Sequence, residues 1–385
     1  MTAAVAGVLL LSLCAAPASA LEEGPHLLGA NTAAAAAGLP LNDLVVSGGE
    51  VYSSYGDYDR NVGPVELASL NTATGAETRH LTVNGEELKA LREFDGRVFA
   101  ADVDPRTAWS ANAGFASNRS GAWNYDSATP FIHVFDVAEL GGEIFLAGSI
   151  LNPDPARFGR APYLAVIKKS TDNGRTWTIE RARSSASGSN DGDRYYWLAV
   201  VGDQVAGIAE VRDAKGAPNR TLDVYRAGRW HTIDLGARSA EAMVHDPSEI
   251  EVIGSRIVIA RNNRVVYLDL AAKGKDAGIT SANWPADIGL ADLAVDRGVM
   301  YAVGSRIAGP DLGSANASVY ATRDGATWQL VDQPAVLPAT TYWDHGGGEM
   351  IPIPGAYTAI DVAGGQMYLG GNDAQIYAQP APSVR

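Results

Sequence analysis

The sequence predicts an all-β chain folded as a seven-bladed β-propeller, with a six-bladed ring as the alternative. Three observations support this prediction. One apolar hairpin pattern recurs seven times along the chain, every copy turns on a glycine, and two turns of a second consensus end in tryptophan. A regular series of such units favours a ring of four-stranded sheets over separate sandwiches. The turn glycines are Gly49, Gly96, Gly142, Gly202, Gly254, Gly298 and Gly365.

Each copy has the composition of two buried strands joined by a tight turn. In the third copy, Asp136-Val-Ala-Glu-Leu140 leads through Gly141-Gly142 into Glu143-Ile-Phe-Leu-Ala-Gly-Ser149. Gly-Gly and Asp-Gly pairs supply the positive φ angles of a two-residue hairpin turn. The β-branched and aromatic residues beside them favour pleated strands. Small residues at the strand ends let neighbouring strands approach a narrow central axis.

Two further turns share a denser consensus, of the Asp-box type. Each begins with Ser or Thr, continues with Asp and Gly, and ends in Trp. We expect the Asp carboxylate to accept backbone N–H bonds across the turn, the Gly to be left-handed, and the Trp to fill the gap between adjacent sheets. The structural residues are Ser170, Asp172, Gly174 and Trp177 in the complete copy, and Asp324, Gly325 and Trp328 in the shorter one. Residues 117–123 are a degenerate copy that lacks the Asp.

The two ends of the chain indicate export and closure of the ring. Residues 1–20 have the pattern of a signal peptide, with an apolar run followed by Ala18-Ser19-Ala20. We therefore expect a secreted, extracellular protein whose residues 21–385 form one propeller domain. The last repeat lacks a fourth strand, which we expect residues 25–30 to supply, so that the N- and C-terminal strands close one blade.

Composition excludes several classes of function. Cys14 is the only cysteine, so cleavage after residue 20 would leave no disulfide, thiolate metal site or cysteine nucleophile. A formal net charge of −14 repels phosphate backbones and argues against nucleic acid as a partner. No second apolar segment reaches membrane-spanning length, so we expect no membrane partner. We expect the protein to be a monomer.

Strand order places two kinds of connection on opposite rims of the ring. The glycine turns and the Asp-box turns share one rim, which we call the turn rim. The connections on the opposite rim are longer and irregular, and we call it the long-loop rim. Because functional residues concentrate on long loops over a rigid scaffold, this rim is the candidate binding face. The candidate residues are Asp57, Tyr58, Arg60, Asp104, Arg106, Tyr342, Trp343, Asp344 and His345.

The same loops offer no convincing catalytic set. Arginines and acids on this rim would suit a sialidase-type glycosidase, but no Phe/Tyr-Arg-Ile-Pro motif is found near the N terminus. No G-x-S-x-G elbow is present, and no two histidines have metal-ligand spacing. We predict no catalytic residues, no metal site and no cofactor. Acid pairs such as Asp102 with Asp104 would suit a structural calcium ion, and Asx-turns are the alternative explanation for them.

The Asp-box turns resemble those of the secreted BNR, or sialidase-like, propellers. Size, export pattern, seven repeats and Asp-boxes together are similar to the dispase autolysis-inducing family of secreted propellers. That resemblance implies a non-catalytic protein that binds a secreted neutral metalloprotease and promotes its autolysis. It also implies cross-linking by a transglutaminase through an exposed glutamine, for which Gln379 in the C-terminal tail is the candidate. The alternative is a glycan-acting or glycan-binding propeller, that is, a sialidase-like exo-glycosidase.

Overall fold

The structure is a β-propeller of seven four-stranded antiparallel sheets, which confirms seven blades rather than six. It is a computed structural model. It describes residues 24–58, 62–106, 113–118, 121–127, 131–185, 193–217, 219, 221–235, 249–261, 263–272, 278–306, 317–334, 337, 340–344, 349–353 and 355–384, with the backbone alone for 340–344 and 349–353. The predicted signal peptide, Arg60 and His345 lie outside these residues.

The blades follow one another along the chain, and the strands of each are named from the innermost outward. Blade 1 consists of Asp43–Ser47, Glu50–Ser54, Val65–Asn71 and Glu77–Val83. Blade 2 consists of Leu88–Phe94, Arg97–Asp102, Phe115–Ser117 and Asn124–Asp126. Blade 3 consists of His133–Leu140, Glu143–Leu151, Tyr163–Ser170 and Thr178–Arg183. Blades 4 and 5 comprise Ala199–Val201, Gln204–Gly207, Thr221–Arg226 and Arg229–Asp234; and Glu249–Ile253, Arg256–Arg261, Arg264–Asp269 and Ile279–Ser281. Blades 6 and 7 comprise Ile288–Asp296, Val299–Arg306, Ser318–Thr322 and Gln329–Asp332; and Tyr357–Ala363, Gln366–Gly371, Gln375–Pro380 and His26–Ala30.

The ring closes in two places at once. The innermost strands contact one another in an unbroken circuit, from blade 1 through blade 7 and back to blade 1. The N-terminal strand His26–Ala30 is the outermost strand of blade 7, where it pairs antiparallel with Gln375–Pro380. The first and last strands of the described residues therefore lie in one sheet, and an edge strand that would otherwise be unpaired is covered.

Smaller elements complete the long-loop rim. Arg194–Tyr195 pairs with Ala209–Glu210 beside the second and third strands of blade 3, and Thr340–Asp344 pairs with Glu349–Ile353 in the connection between blades 6 and 7. The connection that carries Tyr342 is thus a hairpin rather than the irregular loop expected from the sequence. Two short helices, Thr32–Ala37 and Pro155–Phe158, follow the side-chain caps Asn31 and Asp154. No helix in the described residues is both long and apolar enough to cross a membrane.

Tryptophans near the turn rim join neighbouring blades. Trp177 of blade 3 lies edge-on to Phe115 of blade 2 with ring centroids 5.9 Å apart. Trp328 of blade 6 meets Trp284 of blade 5 in the same way at 5.3 Å. The degenerate copy behaves alike, since its Trp123 contacts Tyr52 of blade 1 at 5.5 Å. An aromatic side chain between neighbouring sheets is therefore a recurring contact. The sheets of a propeller diverge outward from the axis, and a large side chain fills the gap that this leaves.

Candidate functional site

The innermost strands surround an axial channel whose walls carry charge. A cavity of about 380 Å³ is lined by six of the blades. Its charged lining residues are Asp43, Arg92, Glu93, Glu251, Asp296 and Asp361. Charged side chains seldom face a buried space unless they are paired or hydrogen-bonded, so their partners determine what the channel can do.

Four axial aspartates bind the backbone of the following blade. In each case one carboxylate oxygen accepts a hydrogen bond, at 2.5 to 2.9 Å, from an N–H on the innermost strand of the next blade or immediately before it. The pairs are Asp43 with Leu91, Asp136 with Leu198, Asp292 with Ile360, and Asp361 with Val46. The last pair crosses the junction of blades 7 and 1. These aspartates therefore hydrogen-bond consecutive blades to each other. They also satisfy buried N–H groups that would otherwise be unpaired at the inner edge of each sheet.

Burial keeps several of these acids from ionising at their usual pH. It raises the pKa of Asp43 to about 7 and that of Asp361 to about 7. It also raises the pKa of Asp292 and of Glu249 well above the ordinary values. The main cationic group among them, the Arg92 guanidinium, forms an ion pair with Asp136 at 3.1 Å. The channel thus holds more acids than cations, and part of the acids are neutral near pH 7.

A cluster of aromatic and cationic side chains lies where the channel meets the long-loop rim. We call it the mouth cluster; it consists of Tyr58, Lys89, Phe135, Arg194 and Tyr196. The Lys89 Nζ lies 5.4 Å from the Tyr58 ring centroid, 5.9 Å from Phe135 and 6.0 Å from Tyr196. The Arg194 guanidinium lies 5.6 Å from the Phe135 centroid and donates to the Tyr196 hydroxyl at 2.9 Å. Four blades and their connections therefore contribute to one polar and aromatic surface.

A small recess opens beside this cluster. It holds about 30 Å³ and is lined by Lys89, Phe135, Asp136, Tyr196 and Glu249, among others. That volume has room for about two water-sized groups. The recess would admit a functional group of a ligand but not a whole drug-sized molecule, which usually needs about 300 Å³ or more.

The predicted site residues are distributed unevenly around the mouth cluster. Tyr58 belongs to it. Asp104 lies beside it, with Oδ2 3.3 Å from His133 Nε2, and His133 stacks on Phe135 at 5.4 Å. Asp57 hydrogen-bonds through its backbone N–H to the Glu86 carbonyl at 3.1 Å. Among the described contacts, none joins the cluster to the exposed Arg106 or to the hairpin that contains Tyr342, Trp343 and Asp344.

Sequence reasoning did not identify Lys89, Phe135, Arg194 or Tyr196. These residues lie at or just before the starts of innermost strands, where apolar and aromatic residues are expected as core. One signal was available: a lysine within the otherwise apolar start of the Leu88–Phe94 strand is costly unless it faces a channel.

The Asp-box residues form local hydrogen bonds on the turn rim, remote from the mouth cluster. Asp172 Oδ1 accepts from the Thr176 N–H at 2.8 Å and Oδ2 accepts from its hydroxyl at 2.6 Å. The Ser170 hydroxyl donates to Asp172 and accepts from the Gly174 N–H, both at 2.8 Å. Hydrogen bonds from Thr176 lower the pKa of Asp172 to about 2. In the second turn, Asp324 accepts from the Ala326 and Thr327 N–H groups at 2.9 and 2.8 Å, and Gly325 has φ 69°.

Gln379 does not lie in an accessible tail. Its side chain is only 4% exposed, and Nε2 donates to Asp332 Oδ2 at 2.6 Å. The expectation that this glutamine is open to cross-linking is therefore wrong. The physical reason is that Gln375–Pro380 is an inner strand of the closed blade 7, covered by His26–Ala30. The exposed glutamines of the described residues are Gln329, Gln333 and Gln366.

The acid pair considered for calcium is engaged otherwise. Asp102 is fully buried and accepts from the Tyr125 hydroxyl at 2.5 Å, and burial raises its pKa to about 7. Asp104 faces His133 instead. Within the described part of the chain, no group of three or more acidic, histidine or cysteine side chains is arranged to hold a metal ion.

Comparison with known proteins defines the fold more than the activity. No protein-family profile matches the chain, and no curated protein matches its sequence. The extracellular domain of the hybrid two-component system BT4673 of B. thetaiotaomicron is similar over 94% of this chain and 40% of its own, with 11% identity and a TM-score of 0.51. The computationally designed protein Ika8 is similar over 92% of this chain and 99% of its own, with 12% identity and a TM-score of 0.49.

A third similar structure is the α-L-arabinofuranosidase Arb93A of Fusarium graminearum. It covers 74% of this chain and 92% of its own, with 11% identity and a TM-score of 0.45. The present chain spans only about two fifths of the length of the BT4673 extracellular domain. At such low identity, the similarity to that domain shows a shared propeller fold and nothing about ligand or activity.

Proposed function

We propose that this chain is an extracellular, non-catalytic propeller that binds another protein through the mouth cluster on its long-loop rim. The observation that carries the proposal is the convergence of Tyr58, Phe135 and Tyr196 around one lysine, from separate blades. Aromatic and arginine side chains dominate the energetic centres of protein interfaces. A rigid ring holds them in place, so little conformational entropy is lost on binding.

The size of the recess favours a protein over a small ligand. The space at the mouth is about 30 Å³, and the larger cavity below it has charged walls. A small molecule could bury little of its surface there. A protein surface could cover the whole mouth and insert a single side chain, which is how anchor residues use such recesses.

As the partner we propose a secreted neutral metalloprotease, whose autolysis the bound propeller would promote. What supports this choice is the combined resemblance of export pattern, seven repeats and Asp-box turns to the autolysis-inducing propellers. Transglutaminase cross-linking remains part of the proposal, with the exposed Gln329, Gln333 and Gln366 as candidate sites in place of Gln379.

The test mixes the purified protein with a thermolysin-like protease and follows both binding and the loss of intact protease over time. We expect the wild type to bind and to accelerate protease loss. Tyr58→Ala and Tyr196→Ala should each weaken binding about tenfold or more, as for a residue at an interface centre. Tyr267→Ala is the matched control, because Tyr267 lies on blade 5 beside Arg256. Absence of binding, or equal effects of all three variants, would contradict the proposal.

One observation favours the glycan alternative. Burial raises the pKa of Asp102 to about 7, and burial with the nearby Asp104 raises the pKa of Glu86 to about 7. Carboxyl groups with such raised pKa values are the usual acid catalysts of glycosidases. Release of methylumbelliferone from a panel of glycosides, abolished by Glu86→Gln, would favour this alternative over protein binding.

A further inference from the structure

The Lys89 ammonium is surrounded by rings but has no polar partner in the described residues. Three ring centroids lie 5.4 to 6.0 Å from Nζ, and no hydrogen bond or ion pair to it is present there. An ammonium carries three N–H donors, and ring faces satisfy its charge better than its hydrogen bonds. The half-buried Lys89 therefore presents unused donors to the recess.

The acids around the mouth are already engaged with other groups. Glu87 accepts from Asn42 Nδ2 at 3.0 Å and from the Tyr58 N–H at 3.4 Å. Asp104 faces His133 at 3.3 Å. Asp136 accepts from Arg92 and from the Leu198 N–H. Burial raises the pKa of Glu87 and the Lys89 charge opposes this shift, but no ion pair between the two side chains is present among the described residues.

Two further groups make the recess suitable for an anion. Burial raises the pKa of Glu249, which lines the recess, well above its ordinary value, and this favours the neutral carboxyl form over the charged one. The Arg194 guanidinium lies over the Phe135 and Tyr196 rings, at 5.6 and 5.8 Å, and adds a second positive charge. Positive charge, a donor and flat apolar walls together match a carboxylate on a short aliphatic stem.

We propose that the recess receives an acidic side chain of the protein partner, whose carboxylate binds the Lys89 ammonium while its methylenes lie against Phe135 and Tyr196. This inference rests on the proposed function, since it names the group that a partner would insert at the mouth. The unused Lys89 donors and the nearby Arg194 charge favour an acidic residue over a basic one. Two of the acids that line the recess, Asp43 and Asp136, each accept a hydrogen bond from a backbone N–H of the next blade.

The test uses three fluorescein-labelled peptides and anisotropy titrations. The first is (Ser-Glu)₃-Ser with an amidated end, the second is its (Ser-Gln)₃ counterpart, also amidated, and the third is the Gln peptide with a free terminal carboxylate. We expect the Glu peptide to bind at least about tenfold more tightly than the amidated Gln peptide, the scale of one charge-assisted hydrogen bond. Lys89→Met should remove this preference and Lys89→Arg should retain most of it. Lys215→Met, at an exposed lysine, should leave it unchanged.

Equal affinity for the Glu and amidated Gln peptides, or a preference that survives Lys89→Met in a protein with unchanged thermal unfolding, would overturn the inference. Binding of the free-carboxylate Gln peptide alone would overturn the assignment to a side chain. Binding of sialyllactose without binding of the Glu peptide would replace the protein occupant with a glycan.

If Tyr58→Ala abolishes protease binding but Lys89→Met does not, the inference fails and the proposed function stands. If the Glu peptide binds and the protease does not, only the choice of partner fails.

Discussion

At the level of single residues, the Arg92–Asp136 pair is the main electrostatic contact on the axis. Asp136 is 1% exposed, and its carboxylate accepts from Arg92 Nε at 3.1 Å, from the Leu198 N–H at 2.9 Å and from the Val137 N–H at 2.8 Å. Arg92 in turn belongs to blade 2, and Leu198 immediately precedes the innermost strand of blade 4. One carboxylate therefore joins three consecutive blades, and its charge compensates a guanidinium that is itself mostly buried.

Replacement of this carboxylate by an amide should be costly although the shape is kept. Asp136→Asn preserves an oxygen for the Leu198 N–H but leaves Arg92 without its nearest anion. We expect the free energy of unfolding to fall by about 1–3 kcal/mol, less than for an isolated buried charge because Asp43 and Glu251 also attract Arg92. Urea unfolding measures this difference.

A double-mutant cycle separates this effect from lost packing. In the background of Arg92→Met, Asp136→Asn should lower the free energy of unfolding much less than it does alone, because no unpaired guanidinium is then left. Asp95→Asn is the matched control: Asp95 lies in an exposed turn with φ 51°, which Asn adopts easily, so stability should change by less than about 0.5 kcal/mol. Strict additivity of the two axial substitutions would show that the pair is not coupled.

At the level of elements, the tryptophan joints differ in how their indole N–H is used. The Trp177 Nε1 donates to the Gly174 carbonyl at 3.0 Å within its own turn. Trp328 is 6% exposed, yet its buried Nε1 has no hydrogen-bond partner among the described residues. Trp328 therefore contributes through its rings against Trp284, whereas Trp177 contributes a hydrogen bond as well.

Substitution of these tryptophans should separate the two contributions. Trp328→Ala should lower the free energy of unfolding by about 3–5 kcal/mol through the cavity it leaves between blades 5 and 6. Trp328→Phe should lower the free energy of unfolding markedly less, because it removes an indole N–H that has no acceptor. Trp177→Phe supplies the comparison, since it also loses a hydrogen bond worth about 1 kcal/mol. Thermal and urea unfolding provide the values, and a Trp328→Phe protein as unstable as Trp328→Ala would refute the packing explanation.

The elements also show how far the sequence predicts the structure. All seven glycine-turned hairpins form, because turn chemistry and alternation are local properties. The sequence predicts small residues at the strand ends so that the strands can approach the central axis, but Gly148 is required for a different reason. A Cβ at this position would lie 1.9 Å from the His133 carbonyl oxygen, opposite the bulge that precedes Asp136. Apart from Tyr58, the mouth cluster was not predicted, because residues such as Lys89 and Tyr196 become neighbours only through the order of blades around the axis.

At the level of the whole molecule, closure depends on acids whose pKa values are raised by burial in the folded protein. The Asp361 carboxyl binds the Val46 N–H across the junction of blades 7 and 1, and the Asp43 carboxyl binds the next blade. Burial raises both pKa values to about 7, against about 3.9 in an unfolded chain. Between about pH 4 and 7 the folded state thus holds protons that the unfolded state has released.

The sign of the pH dependence follows from this difference. Where the folded state binds more protons, the free energy of unfolding falls as the pH rises. We expect it to be greater at pH 5 than at pH 8, by at least about 1.4 kcal/mol, the equivalent of one pKa unit at one group. Asp102 and Glu86 act in the same direction. His80 acts in the opposite direction because burial lowers its pKa.

Urea unfolding at pH 5, 6, 7 and 8 checks this dependence, and substitution locates it. The double variant Asp43→Asn/Asp361→Asn keeps an oxygen that can accept each backbone N–H, but its amides cannot ionise. Its free energy of unfolding should therefore vary less with pH than that of the wild type. Asp172→Asn is the control: its hydrogen bonds lower the pKa to about 2, so this carboxylate titrates below the measured window and its loss should leave the slope unchanged. A wild-type protein that gains stability from pH 5 to pH 8 would contradict the prediction. Equal slopes in the wild type and the double variant would place the titrating groups away from the axis.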